Sequence, residues 1–392
     1  MNRAAQQELR SNAVGGTELT IENSREPLRL ARQGYFFVGG SYVESRGGQV
    51  RTGQMHVEYQ IPEVQTQDWP IVMLAGNTQS GLNYTGTPDG REGWAQFFLR
   101  RGYAVYVVDQ PSRARSAHNG DKEALRVVPS KMIERYFTAP KLAGLWPEAV
   151  LHTQWPGTGV AGDPSFDQFM DQVYPSLAQT PLQEQLSRDA GAALLDRIGP
   201  AILLTHSQAG AHGWLIADAR PGQVKAIIAI EPSGPPVRER AQASAATACH
   251  ADSARANAGW NEDGALTKPF GLTSSKLAYD PPLADGETLT FAKQEAGQQT
   301  ELGSGWLQAQ PARQLAHLRD VPVLVLTGEA SYHALYDHCT VSYLKQAGVK
   351  TTHVRLADDC GIHGNGHMMM LELNNQEIAA VAEGWLHSAL VP

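Results

Sequence analysis

No stretch of the chain approaches the roughly 18 consecutive apolar residues that a membrane-spanning helix needs, so insertion into a bilayer is not expected. The first ten residues, MNRAAQQELR, lack the apolar centre of a secretory signal. A cytoplasmic protein is expected as the sequence stands, with a periplasmic or secreted one open if a signal peptide was removed. Basic charge is also short: 32 Lys and Arg against 40 Asp and Glu give a net charge of -8. Nucleic acid requires a basic footprint and is excluded as a partner, and an anionic membrane surface is disfavoured for the same reason. Cysteine is scarce. Cys249, Cys339 and Cys360 cannot all pair and show no C-x-x-C spacing for zinc or redox work, which leaves one disulfide or three buried thiols.

What is present is an ordinary globular composition, 42% hydrophobic and 18% charged over 392 residues, enough for two domains or one large α/β domain with insertions. Residues 1–33 are polar and weakly periodic and read as an N-terminal arm, and 34–392 read as the domain. YFFVGGSYVES and GQMHVEYQI predict the strands of a hairpin, because aromatic and β-branched residues flank a Gly-rich break. Then come PIVMLAG, YAVYVVD, PAILLTH, VKAIIAIE and VPVLVLTG, with TTHVRLA a weaker sixth. Continuous apolar runs are the mark of strands buried on both faces of a parallel sheet. Helices fit between them at REGWAQFFLRRG, PLQEQLSRDAGAALLDRIG and NQEIAAVAEGWLHSAL, the last with Ile378, Val381, Ala382, Trp385 and Ala389 at helical spacing. The fold class is therefore α/β, a mostly parallel sheet with helices on both faces.

Two stretches, about 114–180 and about 233–318, break this rhythm with Gly, Pro, Ser and Ala and scattered aromatics: Trp146, Trp155, Phe166, Phe169, Trp260, Phe270, Tyr279 and Trp306. Loops of that length are usually functional, and they read as cap insertions over a pocket. Their aromatics either line it or pack the cap onto the body.

Ser207 lies between the strand run AILLT and the helix-forming QAGAHGWLIADA. That is the strand, sharp turn, helix context of a nucleophile elbow, although Thr205 and Ala209 stand where the G-x-S-x-G pattern has glycine. The plainer alternative is a serine capping the helix. A base is offered by His367, in the Gly-rich GIHGNGHMMM after the last strand, with His363 as competitor. An orienting acid is offered by Glu231, at the end of AIIAI, or by Glu329, after VLVLTG. For the oxyanion, LAGNTQSG forms a tight turn, from which the N–H of Thr78 is one expected donor and that of Gln208 the second. The chain order Ser, Glu, His is that of α/β-hydrolases, and each piece falls at the carboxyl end of a strand, where open α/β sheets place their sites.

Through TPDGREGWAQFFLRRGYAVYVVDQPSRARS, THSQAG, IEPSG and GIHGNGHMMMLELNNQEIA, the sequence resembles α/β-hydrolase serine esterases of the esterase 713-like subgroup, bacterial and fungal. The resemblance runs from about residue 34 to the end apart from about 237–318. It implies a triad of Ser207, Glu231 and His367. In the bacterial branch two adjacent cysteines stand at the oxyanion turn where this chain has Asn77 and Thr78.

The expected activity is serine carboxylic-ester hydrolysis through an acyl-enzyme, on a bulky cyclic or aromatic ester or lactone, with no metal or organic cofactor. A small-molecule ester is the partner, and a homodimer is left open. Two other readings stand beside it: a metal-dependent hydrolase using His363, His367 and Asp358 or Asp359, and a silent hydrolase-like protein that only binds a ligand.

Overall fold

The computed structural model describes residues 26–119, 123–240, 263–294 and 305–390. Cys249, Trp260 and most of the expected arm lie outside them. The hairpin forms from β1 (Leu30–Ser45) and β2 (Gly48–Pro62), paired antiparallel from Leu30 opposite Pro62 to Ser45 opposite Gly48. The six apolar runs become β3 (Ile71–Leu74), β4 (Val105–Asp109), β5 (Ala201–His206), β6 (Val224–Ile230), β7 (Val323–Thr327) and β8 (Thr351–Arg355). With the hairpin they make one eight-stranded sheet, in the order β1-β2-β4-β3-β5-β6-β7-β8. β2 meets β4 antiparallel, and every pairing from β4 onward is parallel.

Burial on both sides explains the unbroken apolar runs. In β5, Ala201 and Leu203 enter one core while Ile202 and Leu204 enter the other; in β7, Val323 and Val325 face one and Leu324 and Leu326 the other. Each such Val, Leu or Ile side chain contributes about 1.5–3 kcal/mol by leaving water. Helices α1 (Trp94–Arg100) and α5 (Asn375–Ala389) cover one face, and α2 (Thr180–Ile198), α3 (Ala209–Ala219) and α4 (Asp337–Gln346) the other. On α5 the buried stripe is Ile378, Ala379, Ala382 and Leu386. It is rotated slightly from the spacing expected, leaving Val381 and Trp385 half-buried, the latter with its indole N–H on Thr352 Oγ1 at 3.1 Å.

The two insertions behave differently. Residues 125–177 are short helical turns closed by a two-residue ribbon, Leu125–Arg126 against Ser176–Leu177. In the second insertion Leu272, Leu277, Tyr279 and Leu315 join the core beneath α2, α3 and α4. The Tyr279 and Tyr343 hydroxyls meet at 3.0 Å, and Glu184 accepts the N–H groups of Ser274 and Ser275 at 3.0 and 2.6 Å. That part clamps the helical layer.

Candidate active site

β5 ends at His206, and Ser207 then adopts φ 53°, the left-handed region. A non-glycine residue held there costs of order 1–3 kcal/mol and persists only where the surroundings enforce it. Here Ser207 N–H donates to Ile230 O at 3.0 Å, while Ser207 O accepts from Ser233 N at 2.8 Å and from Gly210 N at 2.9 Å. Small residues make the turn possible. A Cβ on Gly210 would come within 2.5 Å of Pro232 Cβ, and one on Gly76 within 2.9 Å of Ser207 Cβ.

The missing elbow glycine has a physical counterpart in α3. Thr205 is fully buried, and a Cβ on Gly213 would sit 2.9 Å from its Cγ2. The space normally vacated by glycine at the strand end is vacated instead by the helix.

Glu231 follows β6 as Ser207 follows β5, also with positive φ, 42°. Its carboxylate is fully buried and receives three donors: Gly328 N–H at 2.8 Å on Oε1, and Ser331 Oγ and His367 Nδ1, each at 2.6 Å, on Oε2. Burial pushes this carboxyl up, Asp337 adds to the push, and the Ser331 and Gly328 bonds pull it back toward the ionised form. With Nδ1–H committed to Glu231, His367 keeps Nε2 as an acceptor, and the Tyr332 hydroxyl stands 3.4 Å from it. Burial, with His206 and His333 adding to it, holds the His367 imidazole well below its usual range and hence neutral at neutral pH.

His206 donates Nε2–H to His367 O at 3.0 Å, and the two rings lie 4.5 Å apart, which brings the histidine loop beside the elbow. A cavity of about 590 Å³ opens here, lined by Ser207 together with Asn77, Val128, Met132, Tyr136, Phe137, Tyr332, His333 and Tyr336.

No family model matches the chain. It is 41% identical over 352 residues to "Probable secreted lipase phiG" of Fungal sp. (strain ATCC 74256), covering 90% of this chain and 88% of that one. The chain belongs to the α/β-hydrolase esterases and lipases. A solved structure described as a novel bacterial esterase superposes with TM-score 0.61 at 22% identity, over 94% of this chain and 99% of that one, a likeness of fold. This α/β-hydrolase is a carboxylic-ester hydrolase, so the reading as a silent binding protein is set aside.

Among the residues expected in the site, Glu231 and His367 are bonded to each other, and Ser207 follows His206, whose Nε2–H bonds His367 O. The rivals go elsewhere: Glu329 holds His363 Nδ1 at 3.1 Å and Gly364 N–H at 2.8 Å, and His363 is exposed. Asp358 pairs with Arg355 at 2.5 Å, and Asp359 accepts the Arg355 N–H at 2.8 Å, so neither joins His367. Thr78 requires a correction. Its φ of 62° turns its N–H onto Ser176 Oγ at 3.0 Å, and it is Asn77 that borders the cavity with Ser207. Of the two readings of the aromatics, packing holds for four of them. Trp155, Phe166, Phe169 and Tyr279 are buried packing, and the cavity rings are Tyr136, Phe137, Tyr332 and Tyr336. Trp146 backs them, stacked on Tyr136 at 6.1 Å with its N–H on Ala330 O. Of the cysteines among the described residues, Cys339 is buried and Cys360 exposed.

Sequence reasoning passed over His206, Ser331, Tyr332 and His333. His333 stacks on His367 at 4.8 Å and 9°, and its Nδ1 bonds Asp337 Oδ1 at 2.8 Å. The one available signal was His206 itself, a polar residue closing an apolar strand directly before the serine. The specific family segments prove to be partners: Arg91 of TPDGR bonds Leu371 O and Glu372 O at 2.9 Å, just beyond GNGHMMM.

Proposed function

We propose that the protein hydrolyses carboxylic esters through an acyl-enzyme on Ser207. His367 Nε2 takes the Ser207 proton as Oγ attacks the ester carbonyl, and Glu231 holds the imidazole and stabilises its charged form. The backbone N–H groups of Asn77 and Gln208 receive the developing oxyanion, Gln208 standing at the start of α3, where first-turn N–H groups lack intrahelical acceptors. His367 then returns its proton to the leaving alcohol and activates water against the acyl group.

The observation that carries the reading is the strained Ser207, open to a cavity beside a neutral His367 bonded to Glu231 at 2.6 Å. Cavity size and the four aromatic walls favour a bulky cyclic or aromatic ester or lactone. A clear preference for short linear acyl esters in a substrate panel would overturn that part. Both insertions are read as the cap, since Arg126, Met132 and Phe137 of the first and Gly234, Pro235 and Glu239 of the second line the cavity.

The test is a fluorophosphonate adduct located by peptide mass, run beside a chelator control. One adduct on Ser207 is expected, and Ser207→Ala is expected to lose turnover by about a million-fold, since triad residues act as a unit. One observation favours a metal reading: Glu231, His333 and His367 offer ligand atoms within 4.8 Å of one another. Chelator-sensitive hydrolysis with no adduct would establish it in place of the serine mechanism.

A further inference from the structure

Behind the elbow lies a buried cation that the steps above do not use. Arg113 is 2% exposed. Its Nη1 donates to Gly76 O at 2.6 Å and to Gln79 O at 3.4 Å, and its Nη2 donates to Gln208 Oε1 at 2.9 Å. Nε has no partner among the described residues. All three acceptors are neutral. The nearby carboxylate, Asp109, is engaged instead by Gly81 N–H at 2.8 Å and by Arg115 Nε at 2.6 Å.

A charge buried without a hydrogen-bonded counter-charge is costly, and burial accordingly lowers this guanidinium to about 9, with Asp109 opposing. The backbone that holds it adds to the cost. Ser112 and Ala114, on either side of Arg113, have φ 63° and 47°. Two strained residues flanking one inward-pointing side chain mark a position over-determined by its surroundings.

What the guanidinium joins gives the reason. Gly76 and Gln79 bracket the turn that carries Asn77, and Gln208 begins α3; these are the two arms from which the oxyanion donors come. Gly76 itself passes so near Ser207 that a Cβ there would lie 2.9 Å from Ser207 Cβ.

We propose that Arg113 is the positioning residue of the oxyanion hole: its forked guanidinium locks the 76–79 turn to Gln208, and its positive charge favours the negative oxygen formed there. The proposal rests on the serine reading above. In the step concerned, the Ser207 Oγ to carbonyl carbon bond forms, the carbonyl π pair moves to oxygen and the Ser207 proton passes to His367. Arg113 exchanges no proton. The attraction is strongest in the transition state, because the ground-state carbonyl has no full charge to meet.

The experiment compares wild type, Arg113→Lys and Arg113→Met in ester hydrolysis. A second readout is inhibition by a trifluoromethyl ketone, whose serine adduct carries the oxyanion, against a neutral alcohol product. Arg113→Met is expected to lower kcat by about 10²–10³ with KM little changed, and to weaken the ketone by the same factor but not the alcohol. Arg113→Lys keeps the charge without the fork and is expected to fall between. If Arg113→Met fails to fold, Gln208→Ala serves, since it removes the Oε1 anchor and keeps the backbone N–H; a kcat loss of about tenfold at constant KM is expected. A folded Arg113→Met with unaltered kcat and ketone affinity would falsify the proposal alone, as would unaltered kcat in Gln208→Ala if that variant has to serve. Failure of wild type to form the Ser207 adduct would remove the serine reading and the proposal together, so the two failures are told apart.

Discussion

At the residue scale, the proposed chemistry turns on whether the buried His367 is neutral. A base must be neutral to accept the Ser207 proton, and burial, helped by two neighbouring imidazoles, favours that form. The sign follows directly. Because the pKa is held below the usual 6.5, the neutral fraction persists as pH falls through the range where an exposed histidine would already be charged. The acid limb of kcat/KM, which reports the free enzyme, is therefore expected below pH 6.5, and a pH-rate profile of the wild type measures it. An inflection at or above 6.5 would mean that another group sets the limb, or that Glu231 raises the imidazole more than burial lowers it. His206 shares the environment, its own pKa lowered to about 3 chiefly by burial. It therefore stays neutral at any working pH, and its bond to His367 O is a fixed structural link.

At the scale of the element, the turn between β5 and α3 is a single packed unit. Its sequence departs from the usual glycine pattern because the clearance was moved from strand to helix: Thr205 fills what Gly213 leaves open. This makes the two positions a testable pair. Gly213→Ala drives a methyl to within 2.9 Å of Thr205 Cγ2 and is expected to cost about 1–3 kcal/mol by overpacking. Thr205→Ser deletes that Cγ2 and is expected to cost about 1 kcal/mol alone. Combined, the two should be less destabilising than the sum, with a coupling of about 1 kcal/mol or more in urea unfolding. Strict additivity would show that the elbow relaxes by some other route. This element also marks where sequence reading ends. The context of Ser207 was legible from an apolar run meeting small residues. The proposed oxyanion donor was not, because the left-handed backbone at Thr78, invisible in the letters LAGNTQSG, accompanies a Thr78 N–H bonded to Ser176 Oγ and leaves Asn77 at the cavity.

The whole molecule repeats that division, and its acid stability follows from the part the sequence did not announce. Strands β3 to β7 were legible because burial on both faces leaves continuous apolar runs, and the hairpin from its Gly-rich break, whereas helix α4, Asp337–Gln346, was not read from the sequence. The internal turns of the first insertion, between Leu125 and Leu177, were not legible, since they follow from contacts with distant segments, such as Trp146 with Ala330. Nor were the buried histidines, which a sequence lists as polar. His206 and His212 both have pKa values lowered to about 3, mainly by burial, and His367 is lowered too. An unfolded histidine binds its proton near pH 6.5 while the folded one refuses it until about 3, so the unfolded state holds more protons across that window. Stability is then fully present above about 6.5 and falls as pH drops, by about 1.4 kcal/mol per pH unit for each such histidine. The Asp218 and Glu231 carboxyls, pushed up chiefly by burial, run the other way and offset part of the loss. His212 is the position to test, because it lies inside α3, is fully buried, and neither ring nitrogen has a partner among the described residues. His212→Leu removes one titrating group without breaking a described bond. Unfolding free energies from urea titrations at pH 7 to 4.5 are expected to fall less steeply in the variant, by about 2–3 kcal/mol over the interval. Equal slopes would mean that His212 is reached by water and charges in the folded protein as it does in the unfolded chain.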